Sequence, residues 1–229
     1  MNPSQPAPSS EYSTADIAIQ SSAKVSIIPL EATLVRDAIR VHREAFHGYM
    51  NTLLGDTYLR AFFKWFQQSK RRIAVVAQEE AGNTLGYVVG APLDEKDELN
   101  RTLLRPAAGG LMVRPWLIFN GRIVKTAMQR LKTLWGGKPP QRPDEPNLSI
   151  PVMSLVGIGV SAEARGRGIG IALMAAFEQR AIELTMSSLR LSVYSSNASA
   201  RRLYERCGWT AGTVPLDPAV AMYYWKSLR

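Results

Sequence analysis

Residues 152–170 read VMSLVGIGVSAEARGRGIG, and the stretch changes character halfway. Its first part, 152–160, is an uncharged run of small and branched apolar residues, the composition of a buried strand. Its second part sets Gly166, Gly168 and Gly170 among Arg165, Arg167 and Ile169. A helical pattern opens at Gly168 and runs to Met186, so the glycines fill a strand-to-helix turn. Consecutive backbone N–H groups can face outward at such a turn. Glycine leaves them unobstructed, and the helix start adds free donors and its positive dipole end. Arg165 and Arg167 add charge. A phosphate-cradling loop fits this spacing, and so does a tight turn that needs glycine for its conformation alone.

The flanking residues narrow the phosphate ligand. A P-loop continues with Lys and then Ser or Thr after its last glycine, whereas Ile171 and Ala172 follow here. A dinucleotide-binding unit wants an acidic residue near the end of the next strand; that strand, 189–194, runs into Ser195 and Ser196. Further outward, residues 24–30, 72–77 and 85–91 read as strands, with a turn at 81–83 between the last two. Residues 31–46 read as a helix with Leu34, Ala38, Val41 and Ala45 on one face, and 57–68 as an aromatic-rich second helix. Beyond the loop come the helix 168–186, the strand 189–194, the helix 198–207 and closing strands at 210–214 and 219–226. Strands alternate with helices in the middle. The expected fold is therefore α/β, a mixed sheet with one parallel step.

Composition bounds the chemistry. The chain has 229 residues, 46% hydrophobic and 21% charged, with one cysteine and two histidines. These values exclude a disordered chain, a disulfide scaffold and a multi-cysteine zinc module, and no metal is expected. The formal net charge is +9. Nine basic residues between Arg101 and Arg142, with no Asp or Glu among them, account for all of it, so the rest of the chain is neutral. This is an ordinary domain with one basic insert rather than a protein that coats nucleic acid, and no nucleic-acid partner is expected. Residues 1–23 are rich in Pro, Ser and Ala and read as a disordered tail, leaving one domain over 24–229. No secretory or spanning segment is evident, which points to a cytoplasmic protein.

Two blocks carry a family resemblance. Arg165-x-x-Gly168-x-Gly170 after a strand ending at Val160 resembles the pyrophosphate loop of the GNAT superfamily, the acetyl-CoA-dependent N-acetyltransferases. Asn197, Ala200, the run Leu203-Tyr204-Glu205 and Gly208-Trp209 are similar to that family's following helix, and residues 223–226 resemble its last strand. The resemblance is close over about residues 150–229 and extends in element order back to Lys24. Ala162 stands where the family often has proline. Residues 92–149, an insert between strands three and four, lie outside the family's minimal pattern.

The resemblance implies acetyl-CoA as co-substrate and a primary-amine acceptor on a small or envelope-related molecule. It implies that strand four splays from strand five, with the pantetheine arm pairing with backbone at Ile158, Gly159 and Val160. It assigns the pyrophosphate to Arg165, Gly166, Arg167, Gly168, Ile169 and Gly170, and a pantetheine amide to Asn197, which also suits a helix N-cap. A backbone N–H at the splay would polarise the thioester carbonyl. The neutral amine would attack directly in a ternary complex. Tyr204 occupies the proton-donor position toward the leaving thiolate.

A general base is not evident from the sequence. The family's frequent strand-four glutamate has no counterpart near Ser154, and His42, Glu44, His47 and Tyr49 lie where the acceptor site would open. Cys207 reads as a small buried hydrophobe. A non-catalytic acyl-CoA-binding or membrane-surface module is the competing reading. Residues 115–135 fit one amphipathic helix whose basic face could meet an anionic membrane through 101–142. A monomer and a homodimer fit equally.

Overall fold

Side chains of the third strand alternate between two cores, and that alternation sets the frame of the molecule. The computed structural model describes residues 25–116, 148–215 and 220–228. Within them β1 (Val25–Pro29), β2 (Ile73–Glu79), β3 (Thr84–Pro92) and β4 (Val152–Val160) pair antiparallel in chain order. The other helices are α1 (Val35–Ala45), α2 (Met50–Leu53), α3 (Asp56–Gln67) and α4 (Lys96–Val113), all before β4. After β4, helix α5 (Ile169–Glu183) crosses over to β5 (Ser188–Tyr194), which runs parallel to β4. Helix α6 (Ala198–Arg206) leads to β6 (Thr210–Ala211) and β7 (Ala221–Ser227), and the seven-stranded order is β1-β2-β3-β4-β5-β7-β6.

β3 is buried throughout. Its Leu85 and Val88 join Ile73, Val75, Met153 and Leu155 in a core covered by α5 through Leu173, Met174 and Phe177. Tyr87, Val89 and Ala91 point the other way, into a core built with α1, α3 and α4. From Tyr87 onward this is the period of two that a sheet covered on both faces requires, and Leu85 joins the first core as the extra residue of a bulge between Thr84 and Gly86. α3 supplies more of the second core than any other element: Tyr58, Leu59, Phe62, Phe63, Trp65 and Phe66 are all buried.

The mixed sheet and its parallel step match the sequence expectation, while most of the basic insert expected over 92–149 lies outside the described residues. Other details differ. The first helix begins with a 3-10 turn at Ala32–Leu34, and Val35, Ile39 and His42 are buried alongside Ala38 and Val41. Leu34 and Ala45 are only half-buried, because the sheet takes a strip rotated from the expected one. The helix after the glycine loop stops at Glu183, where Thr185 turns with φ of 58°. α4 lies in the first part of the insert, which the sequence predicts as helical but with no helix placed before residue 115. Pro106 inside it weakens the local helix signal, while Leu99 and Leu103 hold it on the second core. The tail expected over 1–23 lies outside the described residues, as does all of the helix expected over 115–135 except its first two residues. No helix among the described residues is long and apolar enough to cross a membrane.

Candidate active site

The ladder between β4 and β5 is short. It joins Val152–Leu155 to Ser188–Leu191 and stops. Val156 is the extra residue of a bulge, since Gly90 pairs with Leu155 and Val89 with Gly157. A bulge bends its strand and increases the local twist. β4 therefore stays on β3 through Val160 while β5 turns away onto β7. The opening between them is a cleft of about 830 Å³.

The glycine loop closes one end of the cleft. Gly166 and Gly168 have φ of 79° and 78°, a conformation other residues rarely adopt, so the turn itself requires them. A Cβ added at either would meet nothing within 4 Å. The backbone thus needs glycine here, and the space beside it is open. Gly168 is the N-cap of α5, and the first helical bonds run from Ile171 and Ala172 to its carbonyl. The N–H groups of Ile169 and Gly170 precede those bonds and are left for an anion.

Ile158, Gly159, Val160, Arg165, Gly166, Gly168, Ile169, Gly170, Asn197 and Tyr204 all line the cleft. Arg167 does not; it is half-buried at the turn. Arg202 and Arg206 of α6 also line it, on either side of Tyr204 in sequence. Their spacing of four on one helix is the signal by which they could have been found.

Tyr204 is buried, with its ring 5.5 Å from that of Tyr224 and 6.3 Å from that of Trp209. Burial pushes its phenol well above the ordinary range, with Tyr224 adding to the effect. Asn197 caps α6, accepting from Ala200 N at 3.1 Å. Tyr49 also lines the cleft, and its ring lies 5.9 Å from that of Tyr194. Tyr49, on the segment between α1 and α2, thereby faces the end of β5. Cys207 is a free, half-buried thiol packed against the first core, and burial pushes it up, away from nucleophilic use.

Of the four groups considered near the end of α1, His42 and Tyr49 line the cleft, while Glu44 and His47 are exposed outside its wall. His42 is buried, and its Nδ1 lies 2.6 Å from Tyr87 Oη. Burial lowers its pKa from 6.5 to about 4. Sequence reading missed Tyr87, which also lines the cleft. A Cβ on Gly159 would come within 2.8 Å of the Tyr87 ring, so that glycine serves the tyrosine across the strands as well as the cleft.

Residues 122–209 match the family model described as the acetyltransferase (GNAT) family. No curated protein matches the chain by sequence. Solved structures share the fold. SsHAT is 21% identical with a TM-score of 0.60, over 89% of this chain and 98% of its own. A GNAT superfamily phosphinothricin acetyltransferase from Sinorhizobium meliloti, in complex with AcCoA, is 14% identical with a TM-score of 0.56, over 89% and 88%. The ribosomal-protein-alanine N-acetyltransferase from Brucella melitensis is 16% identical with a TM-score of 0.54, over 89% and 99%. The splayed strands and the glycine loop lie inside the matched segment, so residues 122–209 are similar to the GNAT acetyltransferase family, and the solved structures share the fold of the described chain.

Proposed function

We propose that this protein transfers an acetyl group from acetyl-CoA to a primary amine of a small acceptor, by direct attack in a ternary complex. The observation that carries the reading is the cleft itself. A glycine loop with open N–H groups stands at one end, an unpaired edge of β4 runs along it, and a buried tyrosine is set in its wall.

In this reading Arg165, Gly166, Gly168, Ile169 and Gly170 hold the pyrophosphate, and Arg202 and Arg206 add positive charge beside it. The pantetheine arm lies along Ile158, Gly159 and Val160, with Asn197 within reach of an amide. A free N–H on the β4 edge polarises the thioester carbonyl. The amine nitrogen bonds to the acetyl carbon, the C–S bond breaks, and the thiolate takes a proton from Tyr204. Burial keeps that phenol protonated at every working pH. It also makes a thiolate expelled into the same low-dielectric cleft a stronger base, so the transfer remains matched. Two of the similar structures are a phosphinothricin acetyltransferase and a ribosomal-protein-alanine N-acetyltransferase, which supports an amine acceptor here.

The test combines CoA titration calorimetry with thiol release from acetyl-CoA. The acceptors are a panel of α-amino acids, amino sugars, polyamines, arylalkylamines and peptides with a free N-terminus. At least one amine should accelerate thiol release and gain an acetyl group by mass. Tyr204→Phe should then lower kcat by about ten- to ten-thousand-fold with CoA affinity unchanged. CoA binding without acceleration by any amine would favour the non-catalytic module, and a fully active Tyr204→Phe would assign the proton to another donor.

A further inference from the structure

Gly157 and Gly159 leave one face of β4 without side chains, and the Tyr87 phenol of β3 fills the space. A Cβ on Gly157 would stand 3.6 Å from Tyr87 Oη. The hydroxyl therefore lies against the segment of β4 that borders the splay, one residue beyond the bulge at Val156. Tyr204 reaches the same opening from the opposite core, near enough to raise the Tyr87 pKa electrostatically on top of the effect of burial.

Behind Tyr87 stands His42. Its Nδ1 meets the phenol, but Nε2 is enclosed without a hydrogen-bond partner. The ring stacks on Phe46 at 4.8 Å and meets the edge of Phe63 at 6.0 Å. A polar atom shut into an apolar box is destabilising, and a phenylalanine at this position would avoid the cost. Packing does not explain a histidine here; its hydrogen bond to Tyr87 does.

We propose that Tyr87, oriented by His42, accepts the proton that the attacking amine loses. The inference rests on the acetyl-transfer reading and adds the base that reading lacks. As the nitrogen bonds to the acetyl carbon, its N–H proton passes to the Tyr87 oxygen, and the phenolic proton passes to His42 Nδ1. When the product leaves, the imidazolium returns its proton to Tyr87, which releases one to water in the cleft. Tyr87 touches the substrate, and His42 is a positioning residue that acts through it. A neutral imidazole is available throughout the physiological range. It is too weak a base for an alkylammonium ion, so the amine must arrive uncharged and become acidic only on bonding to the acetyl carbon.

The experiment uses the amine turned over fastest in the panel. Tyr87→Phe keeps the ring that packs against Gly159 and removes Oη. It should lower kcat by about ten-fold or more, with CoA affinity and the acceptor KM unmoved. The double variant His42→Phe with Tyr87→Phe removes both polar partners at nearly constant shape. It should melt no lower than the parent, bind CoA and show the same loss of kcat, an outcome that a purely structural pair cannot produce. Parent-like kcat in either variant overturns the inference and leaves acetyl transfer standing. A parent that binds no CoA and turns over no amine overturns both.

Discussion

Burial holds the His42 imidazole at about 4 against an ordinary 6.5, and this links the residue to stability as well as to chemistry. The unfolded chain binds the proton more readily than the folded one. Stability contributed by the neutral ring is therefore fully present above pH 6.5 and is lost as pH falls toward 4. The gap corresponds to about 3 kcal/mol. Urea melts of the parent and of the His42→Phe and Tyr87→Phe double variant, each at pH 7 and pH 4, should show it. Carboxylates titrate alike in both proteins, so the parent should lose about 3 kcal/mol more than the variant across that interval. Equal losses would mean that His42 is as accessible to protons folded as unfolded.

Helices α3 and α4 are tied to the sheet by one cation. Arg72, just before β2, donates from Nε to Glu95 at 2.5 Å, from one terminal nitrogen to the Trp65 carbonyl at 2.7 Å and from the other to Glu98 at 2.7 Å. Its guanidinium lies 3.5 Å over the Trp65 ring. Arg72 and Glu95 are buried, so Arg72→Ala leaves the enclosed carboxylate with only the exposed Arg71, 3.1 Å away, and strips the Trp65 carbonyl of its donor. The expected cost is about 3–5 kcal/mol by urea denaturation. Arg72→Lys should not restore it, because an ammonium cannot fork between two carboxylates and stack on an indole. A loss under 1 kcal/mol in Arg72→Ala, on the order of an exposed pair, would show that α4 is held by Leu99 and Leu103 alone. The same cluster explains what the sequence could not disclose. α4 carries Pro106 and two adjacent glycines, and the contacts that fix its start lie 23 and 26 residues back along the chain. The glycine loop and Tyr204 were legible because their chemistry is local, a spacing of a few residues after a strand. His42 was a candidate from its type and place, but Tyr87 read only as a strand residue. Their contact spans 45 residues and exists only once α1 is laid across β3.

At the scale of the whole molecule the sheet is nearly two sheets. The β1–β4 part and the β5–β7 part share four ladder positions, Val152 to Leu155 against Ser188 to Leu191, and the α5 crossover. Beyond them the cleft is walled by β4 and the glycine loop on one side and by Ser192, Val193, Tyr194 and α6 on the other. A ligand lying along the cleft touches both parts and replaces, in part, the ladder that the splay removes. Binding to the folded state alone raises stability by mass action, by about 2.7 kcal/mol when free ligand is a hundred times its Kd. For a chain of this size each kcal/mol moves Tm by about 2–4 °C. CoA at that excess should therefore raise Tm by roughly 5–10 °C. Gly168→Asp isolates the cause. Its side chain enters open space rather than protein, and Asp tolerates the left-handed backbone better than most residues, so the unliganded Tm should fall by only a few degrees. The added carboxylate then faces the place expected for the pyrophosphate, and the rise with CoA should disappear. A variant that keeps the full rise would put the pyrophosphate somewhere other than the start of α5.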